Sequence, residues 1–422
     1  MKSLAVMLVL ALFSLEDCIE YALHSSPQVS SARIEAERSR ATLDCSRLEY
    51  LPSLNIYINQ YFNWGRSVDV QELQIIRNRL TKQSGASVGT SFTIFDGLRR
   101  VNGAARDKEL LKSALWNLRA VEMELGEEIT RAYLECLLAR ELKESLEAVH
   151  RGTVEKAGLA EALYRGGRMT RSALMEIEAQ LASEEAGIVQ AACDEQEAKG
   201  RLAALMGYEL PLEEFEIQTI DINAEALDRP CRLNLSPEKA PAIQALEHEL
   251  NAEKYAIRVA RGQLLPSASL TGAYGTYYSD ISSESFRTQA RDNVNPSLTL
   301  SFALPVFAGG AALGGIASAE YSMKATGEKL KNALLEMENL LASVERESSA
   351  LGRKVEADWN CLQACIEKEK ASSEEFLEGA IGAAEYIEAR KDLIQSDKDY
   401  RCSLYKYLFQ KKLIEHYNRY GE

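Results

Sequence analysis

The chain of 422 residues carries a formal net charge of −14, which argues against a nucleic-acid partner, because phosphate contacts need a basic surface and no Lys/Arg cluster is present. An apolar share of 46% can fill a sizeable core, and the length alone would suit two or three ordinary domains. Proline placement points elsewhere: none of the nine prolines falls within 53–210 or 306–422, and stretches that avoid proline for over a hundred residues read as long helices.

The amino terminus reads Met1-Lys2-Ser3 followed by ten apolar residues, Leu4 to Phe13. That run is too short to span a bilayer as a helix, and a basic residue before it fits a signal peptide over 1–14, cut between Ala11 and Leu15. The competing reading is a buried amino-terminal helix. Residues Leu15 to Tyr50 have a helical pattern that Pro52 stops.

Residues 53–62 then alternate. Leu54, Ile56, Ile58 and Phe62 share one side, and Ser53, Asn55, Tyr57, Asn59 and Tyr61 share the other, the period of a strand. A polar loop of about twenty residues, Asn63 to Gly85, is expected to join it to a second strand at 86–95, too far for a tight hairpin turn. In that second strand Val88, Thr90, Phe92 and Ile94 alternate with Ser87, Gly89, Ser91 and Thr93. After Phe95-Asp96-Gly97 the period changes to three and four, with Leu111, Leu115, Leu118, Leu125, Ile129, Ala132 and Cys136 on one stripe. A helix from Leu98 to Gly166 would reach roughly 100 Å. It ends at the bend Tyr164-Arg-Gly-Gly167, and a return helix carrying Leu174 follows.

The second half repeats this plan. Setting Pro27 on Pro241 also sets Leu51-Pro52-Ser53 on Leu265-Pro266-Ser267, and a nearly equal offset sets Phe95-Asp96-Gly97 on Phe307-Ala308-Gly309 and Tyr164-Arg-Gly-Gly167 on Phe376-Leu-Glu-Gly379. The chain therefore reads as two tandem repeats, 15–206 and 237–422, joined by an acidic connecting segment, 207–236. The second pair of strands falls at 267–278 and 296–304. The junctions between strand and helix are marked by Pro52, Phe95, Gly97, Pro266, Pro305 and Gly309.

Strands about ten residues long, with one bulky apolar face and one small polar face, match strands that cross a membrane between lipid and water. Four cannot do so alone, because their edges would leave backbone groups unpaired in hydrocarbon. Several chains must pool their strands. A soluble sheet packed on a core shows the same alternation but does not call for helices of such length. The expected fold is thus mostly α with a membrane β-barrel portion, built from helix, strand, strand and long helical hairpin, twice over. A soluble or peripheral coiled-coil scaffold would also use the long helices. An enzyme is disfavoured, since the chain lacks G-x-S-x-G, H-E-x-x-H and P-loop patterns. Eight cysteines include no C-x-x-C or zinc spacing; Cys361 and Cys365, one helical turn apart, read as small apolar fillers, and His24, His150, His248 and His416 are scattered. No metal and no cofactor is expected.

The opening Leu15-Glu16-Asp17-Cys18-Ile19-x-x-Ala22-Leu23, the two Leu-Pro-Ser junctions, the Phe-Asp-Gly and Pro-Val-Phe-Ala-Gly-Gly turns and the duplicated helix bends, in this order, resemble the TolC-like family of outer-membrane efflux channels. The resemblance implies a homotrimer whose protomers each give four strands to a twelve-stranded β-barrel in outer-membrane lipid, continued by a periplasmic α-helical barrel. It also implies a periplasmic adaptor and an inner-membrane pump as partners. On this reading the bends are the tips farthest from the membrane. Tyr164, Gly166, Gly167, Leu174, Phe376, Gly379 and Tyr386 are expected there as the periplasmic entrance and adaptor-docking surface, with Gly166, Gly167 and Gly379 freeing the backbone for the turns. Glu378, Glu385 and Glu388 are candidates for lining the entrance, against the plainer reading of a solvated helix face. Spacing does not say which repeat supplies the inner hairpin.

Overall fold

The computed structural model describes residues 12–68, 75–208, 215–220, 233–307 and 310–421. In chain order the elements are β1 (Leu12–Phe13), α1 (Leu15–Ser25), α2 (Pro27–Leu48), β2 (Ser53–Val68), β3 (Ile75–Phe95), α3 (Arg99–Arg165), α4 (Arg171–Met206), β4 (Glu216–Ile217), α5 (Pro241–Gly262), β5 (Ser267–Ser279), α6 (Phe286–Asp292), β6 (Asn295–Ala303), α7 (Ala311–Glu378) and α8 (Ala383–Gly421). The contacts group them into two units, one of 1–34, 116–244 and 332–422, the other of 35–115 and 245–331.

The second unit holds a four-stranded antiparallel sheet in the order β2-β3-β5-β6. Its register lines up residues of one kind across all four strands. Ile56, Val88, Tyr274 and Pro296 form one row, and the neighbouring row on the same face is Leu54, Thr90, Gly272 and Leu298. The opposite face carries rows such as Asn55, Gly89, Ala273, Ser297 and Ser53, Ser91, Thr271, Thr299. The sequence alternation thus becomes two unlike faces because side chains two apart share a side and pairing keeps them in phase. The apolar face is bare: Leu54 is 72% exposed, Ile58 80% and Phe302 76%. None of the described residues covers it.

The strands of the first repeat are longer than the alternation indicates. β2 runs on to Val68 and β3 begins at Ile75, so the expected twenty-residue loop from Asn63 to Gly85 is mostly paired strand. Polar residues continue these strands because the backbone ladder holds them and neither side of this stretch has to be buried. Register shifts sit at Gly65/Ser67 and Thr93/Phe95. Between β5 and β6, α6 is pinned by buried Gln289, whose side chain accepts from the Ser279 amide at 3.0 Å and donates to the Ser279 carbonyl at 3.1 Å.

At the first strand-to-helix junction Gly97 adopts φ 72°, and a Cβ there would stand 2.3 Å from the Gly262 carbonyl oxygen. Only glycine fits this crossing. Leu98 beside it also has positive φ, 65°. Asp96 accepts from the Arg100 amide at 2.9 Å, and the Arg100 guanidinium reaches the Glu49 carbonyl at 3.0 Å, which fixes the exit of α3. Pro52 and Pro266 stand immediately before β2 and β5, Phe95 closes β3, and Pro305 lies just beyond β6. Gly309 lies outside the described residues; Gly310 next to it has φ 83°.

Duplication extends to packing. In α2 the buried residues are Val29, Ala36 and Leu43, seven apart, and in α5 Ile243 and Ile257 are buried at the positions that match Val29 and Leu43. A strict seven-residue repeat is the spacing of helices that coil around neighbours.

The first unit is helical. Its main core joins Leu15, Cys18 and Ala22 of α1 to Leu125, Ile129, Tyr133 and Leu137 of α3, Leu202 and Met206 of α4, and Leu404 and Leu408 of α8. Ser14 and Asp17 form a capping box at the start of α1, and Phe13 joins a ring cluster with Tyr21, Tyr208 and Phe215. Within the acidic segment Phe215 and Ile217 are buried, and β4 pairs with β1. Glu195 is nearly buried; burial pushes its carboxyl up, but hydrogen bonds from Lys143 and Lys199 outweigh that and leave it below the usual range.

The last turns of α8 dock on α3. Tyr417 donates to Glu127 at 2.8 Å, and the His416 ring, 2.9 Å from the Met123 carbonyl, fills the space left by Gly126, whose Cβ would stand 2.5 Å from it. Burial lowers the His416 imidazole below its ordinary value, against the bond to Met123. A depressed base contributes stability that is full above its unfolded value, about 6.5, and is lost as pH falls through that range. The thermal midpoint of the chain should therefore fall between pH 7.5 and 5.5, and His416→Asn should flatten the part of that fall monitored at α8; an equal slope in the variant would show that His416 does not carry it.

Candidate functional site

The two helical hairpins turn in the same way. Gly167 follows α3 at φ 71° and Gly379 follows α7 at φ 80°. Beyond each, the next amide reaches back five residues: Arg168 donates to the Leu163 carbonyl at 2.9 Å and Ala380 to the Glu375 carbonyl at 2.8 Å. This is the helix-ending motif that wants glycine at the left-handed position. Gly166 differs from the expectation. Its φ is not positive, and a Cβ there would meet only the ordinary neighbours Ala162 O and Leu163 O at 3.4 and 3.6 Å, so Gly167 alone provides the freedom in the first turn. Thr170 then caps α4, its hydroxyl accepting from the Ala173 amide.

Behind the turns the structure brings most of the expected tip residues together. Phe376 and Tyr386 stack with centroids 5.2 Å apart and planes 16° from parallel, and they form a buried cluster with Ala160, Ile177 and Ala383, flanked by Leu174 and Ile381. Phe376 and Tyr386 are therefore not docking surface, as expected from the sequence, but the packing that sets the hairpins against each other. The reason is their position on the inward stripe of α7 and α8, one turn from Ala383 and Ala389. Tyr164, Gly166, Gly167 and Gly379 remain exposed, as do Glu378, Glu385 and Glu388. Glu388 also lines a groove between α4 and α8 with Glu176, Gln180, Ser183, Ile387 and Lys391.

One turn deeper lies a charged layer that the sequence reading missed. Arg390 of α8, 4% exposed, reaches a residue on each of the other three helices: Glu184 of α4 at 3.4 Å, Glu369 of α7 at 3.0 Å and the Val149 carbonyl of α3. Glu369 also accepts from Lys156 at 2.7 Å, and Glu184 from Gln180 at 3.0 Å. Lys156 stands 4.8 Å from the centre of the Tyr386 ring. Gly152 leaves room for the guanidinium, at 3.5 Å from where its Cβ would be. The signal was present: Gln180, Glu184, Glu195 and Lys199 occupy positions of α4 at three- and four-residue spacing from Ile177, Ala191 and Leu202, where a core helix ordinarily carries apolar residues. Among the described residues no group of three or more His, Cys, Asp or Glu side chains converges as a metal site, and no helix is long and apolar enough to cross a membrane.

A four-stranded sheet with an uncovered apolar face, to which each half of the chain gives two strands and one helical hairpin, is an arrangement also found among known proteins. Residues 18–208 and 233–401 match the family described as outer membrane efflux protein. The chain belongs to this family. Over 351 residues it is 23% identical to the alkaline protease secretion protein AprF of Pseudomonas aeruginosa, spanning 81% of this chain and 71% of AprF. Among solved structures, CusC superposes with a TM-score of 0.81 at 18% identity, covering 96% of this chain and 92% of CusC. The open state of the Neisseria gonorrhoeae MtrE outer membrane channel gives 0.79 at 19% identity, with 96% and 88% covered. The protein is thus an outer-membrane efflux protein.

In this efflux protein the Arg390 layer is one of the polar contacts between the two hairpins, and it is buried. Arg390→Met, which keeps the packing volume and removes the charge, leaves Glu184 and Glu369 short of a buried partner, a loss of about 3–5 kcal/mol for a broken buried pair. Hydrogen exchange at 149–156 and 384–391 should rise well above wild type; unchanged protection there would mean that the layer holds nothing.

Proposed function

We propose that three copies of this chain close one twelve-stranded barrel in the outer membrane, and that the helical hairpins form the periplasmic part of a passive, non-catalytic conduit served by a periplasmic adaptor and an inner-membrane pump. The observation that carries this is the sheet itself. Its two edge strands, β2 and β6, have no partner on their outer sides among the described residues, while the apolar face between them is bare. In hydrocarbon each unpaired backbone group costs several kcal/mol, and closed barrels begin at about eight strands. Pairing of β2 with β6 of a neighbouring copy removes both edges.

The opposite face then lines the lumen. In the rows shared by all four strands, such as Ser53, Ser91, Thr271, Thr299 and Asn55, Gly89, Ala273, Ser297, it carries no charge. Such a lining imposes little selection, which suits a duct whose cargo is chosen by the pump. Selection by charge falls to the tips, where Glu378, Glu385 and Glu388 line the entrance and favour cations. The exposed turn residues Tyr164, Gly166, Gly167 and Gly379, with the groove beside Glu388, form the surface that meets the adaptor. Opening is a shift of one hairpin against the other between two packings. AprF is named for secretion of a protease and the matched family for efflux; both cargo classes fit a wide, weakly selective lumen.

Purified in detergent, the protein should have the mass of three chains, and in planar bilayers it should conduct and prefer cations. Neutralising Glu378, Glu385 and Glu388 together should abolish the preference without abolishing conductance. A monomer that stays soluble without detergent would overturn the channel assembly, and unchanged selectivity in the triple variant would overturn the assigned lining.

A further inference from the structure

Beside Arg390 stands a proton-binding group that the channel reading leaves unused. His150 of α3 faces Glu184 of α4, with Nδ1 and Oε2 3.6 Å apart, and both atoms are buried without a hydrogen-bond partner. His150 Nε2 lies 3.9 Å from Glu185, which is mostly exposed. The other oxygen of Glu184 accepts from Arg390 of α8 and from Gln180. On the far side of Arg390, Glu369 of α7 pairs with it and with Lys156 of α3. While His150 is neutral, the two cations Arg390 and Lys156 face two carboxylates, buried Glu184 and part-buried Glu369.

We propose that His150 makes the release of Arg390 from Glu184 proton-dependent, so that mild acid favours the arrangement in which the two hairpins have parted. The inference rests on reading the tips as the channel entrance. Arg390 belongs to the hairpin of α7 and α8, whereas His150 and Glu184 both belong to the hairpin of α3 and α4. If the hairpins part while His150 is neutral, Glu184 loses its cation and remains a poorly solvated, unpaired carboxylate, the costly outcome. A protonated His150 changes this in two ways. It supplies Glu184 with a replacement cation from within its own hairpin, across a gap that a small side-chain rotation closes. It also repels the guanidinium. Both effects act in the same direction, and a ligand, here a proton, shifts an equilibrium toward the state with which it interacts more favourably. Histidine is the side chain that ordinarily changes charge between pH 5 and 8, so mild acid is the condition that addresses this contact.

Hydrogen exchange of the full chain in detergent, followed by mass spectrometry at pH 7.5 and 5.5 and corrected for the intrinsic pH dependence of exchange, tests this. Amides of 149–156, 180–188 and 386–393 should exchange about tenfold faster at pH 5.5 in the wild type, within the usual span of coupling between sites. His150→Gln should show no such change, and Glu184→Gln, which removes the anion that the proton answers, should also lose it. His416 lies outside these segments, so its own response is read elsewhere. An equal acceleration in wild type and His150→Gln, or none in the wild type, overturns the proposal. Should His150→Gln fail to fold, Glu184→Gln decides alone: a retained response overturns the proposal and a lost one supports it. Conductance at pH 7.5 tests the entrance separately. A chain that conducts nothing yet shows the His150-dependent exchange would overturn the channel reading and leave the proton-dependent contact standing.

Discussion

A backbone amide surrounded by hydrocarbon can pair only with another backbone, and that constraint governs what this sheet is able to be. Its apolar residues would be a liability in water, since a bare patch of this kind invites aggregation. In lipid the same face is satisfied and the edges become the liability. Four strands with two open edges are then an incomplete object, and closure by further copies resolves both problems together. The duplication in the chain follows naturally from this, since each repeat supplies two strands and one hairpin, and two repeats share one hydrogen-bonded sheet through β3 and β5.

The helical unit meets a different constraint. Long helices packed by apolar seams alone would hold one arrangement tightly, and an opening structure needs contacts that are strong when made and replaceable when broken. Buried charge has that character: its attraction is large at short range, and its cost when orphaned is equally large. The stacked Phe376 and Tyr386 pack by shape, whereas Arg390, Glu184 and Glu369 pack by partner. The second kind can exchange partners, which is why chemistry at the tips is found one turn behind the apolar cluster and not within it.

Much of this was legible in the sequence, for identifiable reasons. Alternation at Leu54, Ile56 and Ile58 and at Leu298, Leu300 and Phe302 gave strand and face at once, because both faces of the sheet are chemically distinct. Gly167 and Gly379 marked the turns because left-handed backbone strongly favours glycine. The extension of β2 and β3 was hidden, since Arg79, Lys82 and Gln83 carry no alternation and their pairing is a property of the ladder. Phe376 and Tyr386 lie beside the turns, but whether an aromatic ring faces out or in depends on a partner helix hundreds of residues away in sequence. Arg390 and Glu184, 206 positions apart, were invisible for the same reason. Single residues reveal period and backbone preference; they do not reveal who sits opposite.

The small hydroxyl and amide side chains that face away from the apolar rows have a kinetic meaning as well. In the proposed assembly a solute passing the rows that all four strands share keeps its own hydration shell, because hydroxyls and amides of this size compete for it no better than water does. Throughput is then set upstream, at the step that admits the solute to the bore.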